Sequence, residues 1–515
     1  MNYLELFRAT LPETALEIAA LLVLVVDLGF LRKAALTVRA GTAALLGVAG
    51  CAAALWMVPM EPLGGLSYPG TGELLLAGGG TATAAQIGIL ALTALTLLLL
   101  IEAEFTRHVG EYVAVVLMAA AGGLLISAAQ DLLVIFIGLE LLSLGLYILT
   151  AFAKRSGASA EAAMKYYLFG GMSAAFLLFG FSYLYGITGT TNLHQIMLAL
   201  YGGNAYHAAP LMYVALVMIA AGLGFKVAAA PFHLWVADTY EGAPAPAAAF
   251  IASVSKVASF ALLISIGTAA VHLFDGMPGK VEAVAGIHLN PQPVYLGFRN
   301  AWSELLVVLA AVSMVVGNLA ALAQVNVRRL LAYSAVAHAG YILLGLAFFS
   351  YSSLSAAAIL YYVLTYGLTT IGAFGVVGVV ERATGSSRLD AFLGLHKRSP
   401  LLAAVLLVLF LSLAGIPPLV GFWAKFNLFA AVLSVQHSGV ALVLVALAVA
   451  MSAVSLYYYL QVLKRAYVLP AVDETAIPVH PTTLAVLLLI AVAVVLLGCF
   501  PALLQGWIAG FYPGM

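Results

Sequence analysis

GFKVAAAPFHLWVADTYEGAPAPAAAFIASVSKVASF, Gly224 to Phe260, is the stretch on which the fold turns. It reads as the end of one long apolar helix and the start of another. The two are joined by the polar, proline-bearing turn Asp238 to Pro246, and each carries a lysine far from its ends, Lys226 and Lys256. An ammonium at bilayer depth costs about 2.5 to 3.5 kcal/mol on insertion scales, so keeping two of them calls for a compensating role. Pro231, five residues after Lys226, has no N–H and leaves the carbonyl of Val227 without its helical donor. The helix is therefore expected to break beside its lysine. A broken helix next to a buried charge is the sequence sign of an ion path in a membrane carrier.

Working outward, 64% of the 515 residues are hydrophobic and only 8% charged, too few polar side chains to cover a soluble domain of this length. The chain reads as an all-α polytopic membrane protein. A formal net charge of +0 argues against a nucleic-acid partner, and no run of Lys or Arg resembles a polybasic lipid anchor. The two cysteines, Cys51 and Cys499, both lie in apolar segments and are too few for an iron–sulfur cluster, a zinc site or a disulfide framework. Packing is their expected role. The N-terminus lacks a basic leader and a small-residue cleavage site, so the first helix is expected to be retained.

Apolar runs near twenty residues long, enough to span a bilayer, recur about fourteen times between Leu11 and Ala509. A Gly- and Pro-rich linker from Met60 to Ala85, without Lys or Arg, reads as an extramembrane loop with room for a short hairpin. Of the 21 Lys and Arg residues, fifteen fall in one set of alternate loops, and Arg8, Lys280 and Arg299 in the other; Lys226, Lys256 and Lys425 lie inside spans. The positive-inside rule then puts the cation-rich loops in the cytoplasm and both termini on the outer, periplasmic side of a bacterial inner membrane.

An N-terminal three-helix segment (1–110) is followed by a five-helix unit (111–275), a second with its preceding loop (276–466) and a C-terminal helix (467–515). The fourth helix of each five-helix unit is interrupted by proline, Pro231 in span seven and Pro417 with Pro418 in span twelve. Five is odd, so the second unit starts on the opposite face and the two are expected to be inverted repeats.

Glu140 falls near the middle of span five, in FIGLELLSLGLY. A carboxyl and an amine buried alone each favour the neutral form, and brought together they restore one another's charge. A Glu–Lys pair of variable separation is thus a proton switch; a static ion pair is the alternative, although such pairs seldom stabilise more than apolar packing does. Lys226 stands about sixteen residues from one end of its span and twelve from the other, too deep for its stem to reach the interface. Lys425 follows the double proline by about two turns of helix, toward the outer face, where an exit step would lie. His233 and His338 are possible shuttles or helix-bridging histidines. Asp131 and Glu304 read as helix-start carboxylates. The glycines Gly78 to Gly80 have no strand–glycine–helix context, so nucleotide binding is not indicated.

The runs FKVAAAPFHLW, DTYEGAPAP and SKVA, with Glu140 and Lys425, resemble the antiporter-like membrane subunits of respiratory complex I, the proton-pumping NADH:quinone oxidoreductase, over nearly the whole chain. The resemblance implies a transfer path through Glu140, Lys226, Lys256 and Lys425. Lysine in span twelve, with no lateral helix after span fourteen, fits the subunit-N branch best. One departure is Ala237, where the family usually carries proline before Asp238. The resemblance also implies that this chain holds no cofactor, and that NADH, FMN, iron–sulfur clusters and quinone belong to partner subunits. Neighbouring antiporter-like and small membrane-arm subunits, and the lipid bilayer, are the expected partners. Two rivals remain: a subunit of a multi-subunit Na⁺/H⁺ antiporter, and a structural membrane scaffold whose lysines are locked in ion pairs.

Overall fold

Among the described residues of a computed structural model of the chain, twelve helices are long and apolar enough to cross a membrane, and shorter apolar helices complete the set. The structure describes residues 3–58, 65–67, 74–102, 105–201, 209–275, 293–349, 353–435, 439–471 and 474–511. Lys280 and much of the 60–85 linker lie outside them. The principal helices are α1 (Leu11–Val25), α2 (Leu36–Met57), α3 (Gly80–Leu99), α4 (Val109–Ala128), α5 (Leu132–Thr150), α6 (Gly157–Thr188), α7 (Ala209–Val227) and α8 (Val236–Gly242). They continue with α9 (Ala245–Asp275), α10 (Pro293–Leu322), α11 (Val327–Ala347), α12 (Ser353–Thr384), α13 (Pro400–Ala414), α14 (Val420–Val435), α15 (Gly439–Tyr467) and α16 (Pro481–Cys499).

Each of the fourteen expected spans has a counterpart. The first is α1 extended by a π-helical segment, Val26–Phe30. Spans seven and twelve are each two helices, α7 with α8 and α13 with α14. Within the 60–85 linker, Leu66–Ser67 pairs antiparallel with Leu74–Leu76. The helix after it starts at Gly80, earlier than the apolar run suggests, because Gly79 and Gly80 take left-handed backbone angles (φ +79° and +55°) that set its start.

Burial sorts the helices. In the most apolar windows of α9 and α11, 94% of residues are buried inside the protein, against 33% for α6 and 28% for α15. A helix apolar all round belongs in the interior. The helices carrying Lys256 and His338 are thus the innermost. α9 packs on α12, α3 and α4, and α11 lies along α10. Small residues allow the closest approaches: a Cβ on Gly122 of α4 would come within 2.6 Å of the Leu142 nitrogen of α5.

Asp131 caps α5 as expected, accepting from the Leu133 N–H at 2.8 Å. Glu304 does not mark a helix start. Helix α10 begins at Pro293, so Glu304 lies eleven residues into it on an exposed face. The preceding turns, with Tyr295, Arg299 and Asn300, are too polar to register as part of an apolar run.

Candidate functional site

Helix α7 ends one residue after Lys226. The chain leaves helical geometry at Ala228 (φ +61°), the peptide before Pro231 is cis, and α8 starts at Val236. In between, the Ala230 N–H donates to Ser313 Oγ at 2.8 Å and Trp235 Nε1 donates to the Phe225 carbonyl at 3.2 Å. The absence of proline at Ala237 does not prevent the turn into α8. Asp238 accepts from Lys165 at 2.8 Å and from Arg329 at 2.7 Å, which ties α8 to α6 and α11.

Lys226 is 8% exposed. Its Nζ lies 3.8 Å from the Glu140 carboxylate and donates to Ser143 Oγ at 2.5 Å. Glu140 and Ser143 are three residues apart on α5 and so share a face. That spacing was a signal the sequence offered for Ser143. Lys256, 2% exposed, donates to the carbonyl of Val227 at 3.1 Å and to that of Ala335 on α11 at 2.9 Å. Lys256 thus holds the backbone carbonyl of the residue that follows Lys226.

Span twelve repeats the chemistry. Helix α13 ends at Ala414, Gly415 takes a left-handed conformation (φ +87°), Pro417–Pro418 is cis, and α14 begins at Val420. Lys425 lies beyond the double proline in sequence, but its amine folds back onto the break, because helical side chains lean toward the N-terminus. It donates to the carbonyls of Leu413 at 3.2 Å and Ala414 at 3.0 Å, and to Ser452 Oγ of α15 at 2.8 Å. Ser452 carries no local sequence signal; only the packing of α15 against α14 brings it in.

Between Lys256 and Lys425 stands a buried aromatic cluster centred on His338, itself 4% exposed. Its Nδ1 is 2.8 Å from the Tyr362 hydroxyl and its Nε2 3.5 Å from that of Tyr459, which in turn meets Ser334 Oγ at 2.5 Å. Lys256 Nζ lies 5.9 Å from the Tyr366 ring and Lys425 Nζ 5.4 Å from the Tyr341 ring. Both rings border His338, with centroids at 4.7 and 5.8 Å. A cavity of about 10 Å³ lined by His338, Tyr362, Thr365, Thr369 and Ser412 sits there, at the lower limit for a single water. His233 stands apart in the break of α7, edge-on to Tyr333 at 6.2 Å, with Nδ1 buried and without a hydrogen-bond partner among the described residues.

A second cavity, about 640 Å³, opens at the cation-rich end among Glu241, Asn326, Arg328, Glu381 and Arg388. None of the four relay candidates lines it. No cluster of three or more His, Cys, Asp or Glu suited to a metal occurs among the described residues.

The family model described as NADH:quinone oxidoreductase/Mrp antiporter, transmembrane, matches residues 129–275 and 280–452. The chain is 47% identical over 524 residues to NADH-quinone oxidoreductase subunit N 2 of Acidobacterium capsulatum, covering 99% of both. Among solved structures, it resembles a chain of respiratory complex I from Thermus thermophilus with bound aureothin, with 31% identity, TM-score 0.75, and coverage of 96% of this chain and 98% of that one. It also shares the fold of a chain of the Mrp complex from Dietzia sp., with 23% identity, TM-score 0.76, and coverage of 99% and 97%.

Proposed function

The chain belongs to the NADH:quinone oxidoreductase/Mrp antiporter transmembrane family, and from that premise we propose that it translocates protons as a non-redox, membrane-arm subunit of a complex I-type enzyme. Glu140 sets the charge on Lys226, Lys256 relays the proton along the membrane midplane through the His338 cluster, and Lys425 passes it toward the outside. Quinone reduction elsewhere in the complex drives the cycle. NADH, FMN, iron–sulfur clusters and quinone are held by partner subunits, and the neighbours here are other antiporter-like and small membrane subunits.

One observation carries this reading. The Lys226 ammonium lies between a carboxylate and a hydroxyl, and the next carbonyl along the chain is held by a second buried ammonium. Each pKa unit by which such a pair shifts as it opens is worth about 1.4 kcal/mol, on the scale of the ~2.3 kcal/mol per 100 mV met by a crossing proton. The Glu140–Lys226 separation of 3.8 Å is at the long end of an ion pair, as suits a contact that opens and closes. The two five-helix units, 111–275 and 276–466, are read as inverted repeats on the strength of the breaks in α7–α8 and α13–α14. The cation count supports an orientation with both termini outside the inner membrane, in which the 640 Å³ cavity faces the cytoplasm.

The test is Lys226→Met in the assembled complex, reconstituted into proteoliposomes. Redox-driven proton uptake is expected to fall; uptake at the wild-type level would remove Lys226 from the path. A Na⁺/H⁺ antiporter subunit would purify without flavin and iron–sulfur partners. A scaffold would lose complex abundance on the same substitution, with protons moved per electron unchanged.

A further inference from the structure

Pro231, Pro417 and Pro418 each lack the N–H that an uninterrupted helix would offer to the carbonyl four residues earlier, which is that of Val227, Leu413 and Ala414 respectively. All three carbonyls accept from a buried lysine: Val227 from Lys256, Leu413 and Ala414 from Lys425. These are the terminal carbonyls of half-helices, where the helix dipole leaves partial negative charge and where unwound membrane helices coordinate small cations. Neither ammonium has an Asp or Glu as a hydrogen-bond or ion-pair partner among the described contacts. Lys256 rests on two carbonyls, Lys425 on two carbonyls and the Ser452 hydroxyl. Neutral oxygens converging on a positive charge form the ligand set of a monovalent-cation site. Lys226 differs, since its partners are a carboxylate and a hydroxyl.

We propose that Lys256 and Lys425 are tethered cations, each occupying a monovalent-cation site of neutral oxygens that includes at least one proline-freed carbonyl of a broken helix, so that free Na⁺ is excluded from both. In its claim on selectivity this rests on the relay reading above; the site itself is tested by binding. A covalently held ammonium can give up a proton but cannot leave. The sites therefore exchange H⁺ and cannot carry a metal ion through.

The experiment uses the purified whole complex carrying Lys425→Ala, with Lys425→Met and wild type as controls. Radiolabelled n-propylammonium restores the missing methylenes and amine. It is expected to bind the Ala variant saturably at millimolar concentration, with one site more than wild type and competed by Na⁺. The Met variant fills the same space without a charge and is expected to show no added site. Lys256→Ala is the independent second case. If an Ala variant fails to assemble, growth with n-propylammonium is expected to recover it, and failure to recover counts against the proposal. Assembled Ala variants with no added site, or binding equal to that of the Met variant, overturn it. Loss of proton uptake without a gained site leaves the relay standing and removes the tethered cation. A gained site with undiminished uptake does the reverse.

Discussion

Lys256 Nζ donates to the carbonyl of Val227 at 3.1 Å, across the gap that Pro231 leaves in the hydrogen-bond ladder of the seventh span. Replacing Pro231 by Ala returns an N–H to the ladder, which then competes with Lys256 for that carbonyl. A hydrogen bond from a charged donor is worth about 1.5–3 kcal/mol, so redox-driven proton uptake is expected to fall by about tenfold or more while electron transfer continues. Reconstituted vesicles with a pH-sensitive dye check this. Undiminished uptake would separate the break from the function.

Glu140 and Lys226 are expected to act as a unit. Removing one partner of a fully buried pair costs ~3–5 kcal/mol; the Glu140 side chain is 27% exposed, so the penalty here lies below that range. Glu140→Gln and Lys226→Met are each expected to lower proton uptake strongly, and the double variant to be no worse than the worse single one. Additive losses would mean that the two residues work independently.

In the His338 cluster, the 2.8 Å contact with Tyr362 is a sound hydrogen bond and the 3.5 Å contact with Tyr459 a marginal one. Tyr362→Phe is therefore expected to change the pH profile of proton uptake more than Tyr459→Phe does. Equal effects, measured on complexes of equal abundance, would take His338 out of the path.

Arg39 and Asp27 form a two-pronged ion pair at 2.7 and 2.6 Å, remote in sequence from the lysines, and Asp27 also accepts from the Gly110 N–H at 3.2 Å. Asp27 is 1% exposed, and Asp27→Asn removes the guanidinium's hydrogen-bonded counter-charge; the Arg39 side chain is 14% exposed, so the loss lies toward or below the low end of ~3–5 kcal/mol. The expected outcome is a drop in complex abundance on a native gel, with protons per electron unchanged. A changed ratio would assign this pair a part in transport.

Gly122→Ala would set a Cβ 2.6 Å from the Leu142 nitrogen and 3.0 Å from the Gly138 carbonyl. Both are backbone atoms of the helix that bears Glu140, and they cannot yield as a side-chain tip can. Overpacking of this kind costs about 1–3 kcal/mol. Reduced thermal stability of the complex, together with partial loss of proton uptake, is the expected result.

The residue types carry their burial problem openly. A lysine amid apolar residues, and a proline five positions on, pointed to Lys226 and to a break beside it because backbone and charge desolvation penalties act locally along the chain. The same logic found Lys256, Lys425, Glu140 and the double proline. It misread Glu304, because a hydropathy window cannot see a helix continue through its polar turns. It placed Lys425 beyond the double proline but could not show its amine folding back onto the break, because a side chain's reach backward depends on what awaits it there.

Sequence alone therefore determined that this chain spans a membrane many times, which residues are too costly to be there by accident, and which carbonyls lose their helical donors. Tertiary packing decided where each charge finds its partner. Val227 meets Lys256 across 29 positions of chain, Lys226 meets Ser143 across 83, and Lys425 meets Ser452 across 27. The physical reason is that desolvation is a property of one residue and its surroundings, whereas compensation needs a second group at about 3 Å, and only the packing of helix on helix supplies it.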